Sequence, residues 1–282
     1  MPKPKVSVRL VLLSLMLSTF AIGTTEYVVM GFLTQIADTF DVSIASTGLL
    51  VTIYAISVAV FGPLLTMITV KWPRKPLLIM LIILFIVSNV GSAIAPTFNL
   101  LLATRVTAGI MHASFFGVAM VVAAKVVSPT KQGLAISSVQ GGLTIALMLG
   151  VPFGSLIGGI LSWRLIFWLI ALLGFISLMG IIRFVPNIKL DESPSLKKEI
   201  VSFKNKEVLF ALATIIFGYA GVFTTYTFIE PMLREITNYG VNGVTAALFS
   251  FGLGAAIGNF LSGRIPMNYL TSGLIFSLSG LA

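Results

Sequence analysis

Runs of about 20 apolar residues recur along this chain, near 10–33, 48–70, 77–95, 100–123, 134–160, 165–185, 208–229 and 243–263. Each is long enough to cross a bilayer as a helix. A ninth run begins near Leu270, and the sequence ends inside it at Ala282. Main-chain polar groups in lipid find no water, so runs of this kind must be helices that satisfy their own hydrogen bonds. Composition agrees: 57% of the 282 residues are apolar and only 10% charged, where soluble domains average about 25% charged. Mean hydropathy is +1.06. The expected fold is an all-α integral membrane protein of eight helical spans and part of a ninth.

The net charge of +9 does not mark a nucleic-acid binder. The cations sit at the ends of apolar runs and form no basic face with interleaved aromatics. There is no cysteine and only one histidine, so a metal centre or a serine triad lacks ligands and partners. No phosphate-cradling GxxxxGK[ST] is present. Neither an enzyme nor a cofactor is expected. The N-terminal Lys3, Lys5 and Arg9 precede a run that continues to about Leu33 without a small-residue cleavage site, so it reads as a retained first span.

Lys and Arg alternate between connections. Lys3, Lys5 and Arg9, then Lys71, Arg74 and Lys75, Lys125 and Lys131, Arg183 to Lys206, and Arg264 fall on one side; the other side carries only Arg164 and Arg234. The positive-inside rule places the first side, with the N-terminus, in the cytoplasm of a plasma-membrane protein. The most polar connection, 186–207, separates a first bundle (1–185) from a partial second one (208–282). In that connection Leu196, Ile200 and Phe203 fall at i, i+4 and i+7, which fits either a short helix on the membrane surface or a solvated basic linker. The segments 22–42 and 222–242 match weakly at an offset of about 200 residues, as do 62–71 and 258–267. Together they indicate a parallel duplication.

The stretch 140–168 places small residues at every fourth position: Gly142, Ala146, Gly150, Gly154 and Gly158. Such a ridge lets a neighbouring helix approach closely, and Pro152 within it removes a backbone donor and bends the helix.

Four patches resemble the major facilitator superfamily, within it the drug:proton antiporter branch that includes arabinose-efflux-type permeases. They are GTTEYVVMGFLTQIADTFDVS in the first span and its exit, GPLLTMITVKWPRKPLL around the second connection, RVTAG at 105–109, and GVPFGSLIGG with SWRLIFW in and after the fifth span. The resemblance implies two six-helix bundles that rock about a midplane site, with a cavity lined by spans one, four, seven and ten. It implies export of small drug- or sugar-like solutes in exchange for protons. The chain holds Gly62, Lys71, Arg74 and Lys75 of the family's loop pattern and departs from it at Thr66, Val70 and Pro73. Those cations serve either topology or an inner gate. The family fold has twelve spans, so the alternative expectation is a fragment that needs its missing C-terminal helices, supplied as a separate partner.

Glu26 is the only acid well inside an apolar run of the first bundle. Charges at such depth cost about 2.5–3.5 kcal/mol on insertion scales. Arg105 lies at matching depth in span four, and both fall roughly 8–10 Å below the outer boundary at 1.5 Å per residue. An arginine moving towards or away from a carboxylate in a low-dielectric site trades a proton, so the pair is either a coupling site or a fixed ion pair. His112, two turns from Arg105, is either a proton relay or a hydrogen-bonded cavity residue. Candidates for the cavity lining are Tyr27, Tyr54, Phe115, Phe116, Gln140, Tyr219, Phe223 and Tyr226. Glu230, beside Pro231 at the end of span seven, reads as interfacial.

Overall fold

The computed structural model describes residues 7–188, 205–262 and 269–280. Among these residues are eight helices long and apolar enough to cross a membrane: Val8–Gly31, Ile44–Ile68, Arg74–Ile94, Phe98–Lys125, Pro129–Ile160, Trp163–Phe184, Lys206–Thr227 and Val241–Leu261, here spans one to eight. A short helix, Leu33–Phe40, lies in the first connection, and another, Ile229–Glu235, in the seventh. Leu270–Ser279 is helical at the place of the ninth run. The surface helix considered on Leu196, Ile200 and Phe203, Arg264, and part of the repeat match at 258–267 lie outside the described residues.

The first six spans form one bundle around a continuous apolar core that includes Leu15, Ile22, Leu78, Phe85, Phe115 and Phe167. Spans seven and eight add a smaller cluster, in which Tyr226, Val244 and Leu248 pack on Met30 of span one and Val151 of span five. Away from that cluster span seven is open, with Phe210 73% and Phe217 82% exposed.

The small-residue ridge of span five packs on span one. A methyl group built on Gly142 would meet Thr19 and the main chain of Met16 and Phe20; on Gly150 it would meet Thr24, on Gly154 Val28, and on Gly158 Phe32. Gly23 of span one sits against Leu143 and Ala146 in the same seam. Two polar contacts stitch it, Thr19 donating to the Val139 carbonyl (2.7 Å) and Ser155 to the Gly31 carbonyl (2.8 Å). Pro152 changes the helix just before itself: residues Ala146–Gly150 form a π turn between the α segments Gln132–Ile145 and Val151–Ile160. Proline supplies no N–H and its ring crowds the carbonyl four residues back, so one wider turn accommodates it. Span eight seats there, Gly252 lying so close that a methyl group would come within 2.6 Å of the Met148 Cα.

The connections after spans one, three, five and seven share one face of the molecule, called here the odd face. Trp163 donates to Thr39 across it at 3.0 Å. Arg164 donates to the carbonyls of Ala93 (3.2 Å) and Ala95 (2.7 Å) at the end of span three, its guanidinium stacked 4.3 Å from the Trp163 ring. Arg164, one of the two cations that the sequence puts on this side, therefore caps a helix C-terminus. On the opposite face Arg74 donates to Val70 O (3.0 Å) and Lys75 to Ile182 O (2.6 Å), each at a helix end, while Lys71 is exposed.

Candidate functional site

Span one stops being α-helical at Tyr27 and continues as a 3-10 turn over Val28–Gly31. The last α bond runs from the Val28 N–H to the Thr24 carbonyl, so the carbonyls of Thr25 and Glu26 are left without the helical donor they would otherwise have. Arg105 fills that role. It is 1% exposed, and its guanidinium donates to Thr25 O (2.9 Å), Glu26 O (3.3 Å) and, across to span two, Leu50 O (3.3 Å).

This differs from the side-chain ion pair expected between Glu26 and Arg105. The two residues are neighbours, yet the arginine holds the main chain of Glu26 rather than its carboxylate. The reason is local. A terminated helix offers fixed carbonyls in a dry interior, and a guanidinium with five donors in a planar fork satisfies several at once. The basic side chain nearest the Glu26 carboxylate is that of His112, with Nδ1 3.9 Å from Oε2.

His112 itself is held from two sides. Its Nδ1 is 2.6 Å from the Tyr54 hydroxyl, and its ring stacks on Phe116 with centroids 4.8 Å apart and planes 15° from parallel. Tyr54 is 2% exposed and lies under Arg105, the guanidinium carbon 4.3 Å from its ring centroid. Spans two and four come close enough for this because of Gly109, where a methyl group would lie 2.7 Å from the Tyr54 carbonyl oxygen and from Ser57 Cβ. Glu26, Tyr54, Arg105, His112 and Phe116 thus form one cluster. Only Glu26, at 21%, and His112, at 13%, keep appreciable side-chain exposure on its open side.

Span seven adds aromatics on that side. Tyr27 meets Phe223 edge-on at 5.8 Å, and Phe223 meets Tyr219, which is 52% exposed, at 5.4 Å. The remaining lining candidates lie elsewhere. Phe115 has no exposed surface and belongs to the core of the first bundle. Tyr226 is buried and stacks on Phe251 of span eight at 4.1 Å. Gln140 is exposed and borders a separate polar cavity of about 370 Å³ between spans five and eight, with Ser137, Thr144 and Asn259. Gly62 packs on Ala113 of span four, where Ser114 donates to its carbonyl at 3.2 Å. Gly150, Pro152, Gly154 and Gly158 lie in the seam with span one.

Two features escaped the reading of the residues. Thr25 and Asn89 form a fully buried hydrogen bond of 2.5 Å, and Ser92 and Thr104 another of 2.7 Å; the polar run SNVGS inside span three was the available signal. Glu230 is completely buried rather than interfacial. Its carboxylate accepts from the Thr34 N–H (3.1 Å) and hydroxyl (3.0 Å) in the first connection and pairs with Arg234. It therefore ties span seven to the first bundle on the odd face, beside the contact of Phe228 with Gly48. Between spans two and seven lies an apolar cavity of about 510 Å³ bordered by Val51, Ala55, Phe223 and Phe228. Among the described residues no group of three or more His, Asp or Glu side chains is placed to hold a metal.

Comparison with known proteins agrees with this architecture. Residues 15–282 match the profile of the Major Facilitator Superfamily. The chain is 49% identical over 98% of its length to the uncharacterized MFS-type transporter YfhI of Bacillus subtilis, covering 69% of that protein. It is 40% identical over 90% of its length to the inner membrane transport protein YdhP of Escherichia coli K12, covering 65% of it. To the putative transporter AraJ of the same strain it is 30% identical over 92% of its length, covering 66% of that protein. Among solved structures, a bacterial homolog of the human lysosomal transporter Spinster, crystallised inward-facing and unoccupied, superposes with a TM-score of 0.75 at 20% identity, over 96% of this chain and 64% of that one. The chain thus spans about two thirds of the length of these relatives. With eight apolar spans among the described residues, a first six-helix bundle and a matching sequence profile, this chain belongs to the Major Facilitator Superfamily of membrane transporters.

Proposed function

We propose that the protein takes part in proton-coupled export of small organic solutes across the plasma membrane by alternating access. The observation that carries this reading is the cluster at the end of span one. A single carboxylate, Glu26, stands partly exposed beside a buried arginine and the sole histidine, next to Tyr27, whose ring meets Phe223 of span seven. An acid at such depth is costly unless it has work to do, and the neighbouring charges bias its protonation. Tyr27, Tyr219 and Phe223 supply apolar surface with hydroxyl groups, which suits drug- or sugar-like solutes. The distribution of Lys and Arg supports an N-terminus in the cytoplasm, making the odd face the outer one. On that assignment the described state is closed outside, by Glu230 with Thr34 and by Phe228 with Gly48.

The test is export from cells and inverted vesicles under an imposed proton gradient, with a panel of solutes. Glu26→Gln, which keeps the side chain's shape and removes its charge change, abolishes gradient-driven export while solute binding persists. Unchanged gradient dependence in Glu26→Gln overturns the assignment.

A further inference from the structure

We infer that Tyr54 is a positioning residue that holds His112 in one place in both of its protonation states, so that the histidine can take a proton from Glu26 and return it. The inference rests on the proton-coupled reading above and adds a residue and a route to it.

The argument begins with what a phenol can do. A carbonyl only accepts a hydrogen bond and an ammonium only donates, so either would hold one form of an imidazole nitrogen and release the other. A hydroxyl does both. With Nδ1 unprotonated, the Tyr54 O–H donates to it; with Nδ1 protonated, the N–H donates to the Tyr54 oxygen. The 2.6 Å separation accommodates either direction.

The second element is fixity. The Tyr54 ring lies under the Arg105 guanidinium, which is itself pinned to three main-chain carbonyls of spans one and two. Phe116 stacks on the other side of the imidazole, and Gly109 brings spans two and four together at the right height. The ring is therefore clamped from span two and from its own helix. The same nitrogen that Tyr54 holds faces Glu26 Oε2 at 3.9 Å, a gap closed by a small side-chain adjustment.

The step balances as follows. The O–H bond of the Glu26 carboxylic acid breaks and an N–H bond forms at Nδ1, leaving a carboxylate and an imidazolium. The Tyr54 hydroxyl hydrogen turns away in the same motion, and its oxygen accepts the new N–H. No proton leaves Tyr54. The ionisable groups around the exchanging pair are Tyr27 from span one, Tyr54 from span two, Arg105 from span four and Tyr219 from span seven; the reverse step restores the acid.

Because His112 is the only histidine, nitrogen NMR of the full chain in lipid nanodiscs, labelled at histidine with nitrogen-15, reads this ring alone. The expected wild-type spectrum shows one ring environment with a hydrogen-bonded Nδ1. Tyr54→Phe keeps the ring beneath Arg105 and removes only the hydroxyl; the Nδ1 signal moves to that of a free nitrogen, and proton-coupled flux falls roughly fivefold, the factor one neutral hydrogen bond carries. Unchanged histidine signals in a folded Tyr54→Phe overturn the inference. So does a free Nδ1 signal in the wild type, which needs no variant. Retained gradient dependence in Glu26→Gln instead strikes the proton-coupled reading itself, while the spectrum still decides whether Tyr54 holds the ring.

Discussion

Gly141 and Gly142 are adjacent residues of one helix, and the structure assigns them opposite responses to the same substitution. A methyl group on Gly141 meets nothing within 4 Å, whereas one on Gly142 meets Thr19, the Met16 carbonyl and the Phe20 nitrogen, the last at 2.8 Å. Glycine to alanine in a helix interior gains about 1 kcal/mol from reduced backbone freedom. Gly141→Ala should keep that gain. Gly142→Ala should have the same gain offset by overpacking, which costs about 1–3 kcal/mol. The upper part of that range applies because two of the three atoms met are main chain and cannot rotate away. The third, Thr19 Oγ1, is held by its 2.7 Å bond to Val139 O. The net expectation is a loss of about 1–2 kcal/mol for Gly142→Ala, and so a difference of about 2–3 kcal/mol between the two variants. At 1.4 kcal/mol per tenfold, the folded-to-unfolded ratios then differ roughly 30- to 140-fold. Unfolding in mixed detergent, followed by fluorescence of the three tryptophans, measures it. Equal stability of the two variants would refute the seam between spans one and five as described.

Two further outcomes follow from the polar contacts. Arg105→Lys replaces a planar fork on three carbonyls by a point charge; with charge-assisted hydrogen bonds worth about 1.5–3 kcal/mol each, the variant should lose about 3 kcal/mol in the same unfolding assay, and wild-type stability would contradict the capping role. Glu230→Ala removes the tie between the seventh connection and Thr34. Since the chain has no cysteine, spin labels at Asp38→Cys and Glu235→Cys report the distance across the odd face directly. A longer, broader distribution is expected in the variant, and an unchanged one would remove Glu230 from the closure of that face.

How far the residues alone reach is clearest where they point to a neighbour. Hydropathy and the 1.5 Å rise give each residue a depth, and depth correctly put Glu26 and Arg105 at one level on neighbouring spans. Depth does not give the atoms. Arg105 went to carbonyls because span one changes from α to 3-10 winding at Val28, and nothing in the run TTEYVVMG announces that change. The fourfold spacing of Gly142, Gly150, Gly154 and Gly158 announced a seam, but a seam has two sides, and only the fold names span one as the other. The aromatics show the same limit from a different angle. Phe115 and Phe116 are adjacent, so they point about 100° apart on a helix; one fills the core of the bundle and the other stacks on His112. In a span that is apolar on every side, no periodic contrast tells the two directions apart. What separates them is a glycine four residues before Ala113, since Gly109 sets how near span two can lie and hence which side of span four Tyr54 occupies. The candidate site is thus specified less by its charged residues, which the eye finds first, than by the small ones that decide what those charges can touch.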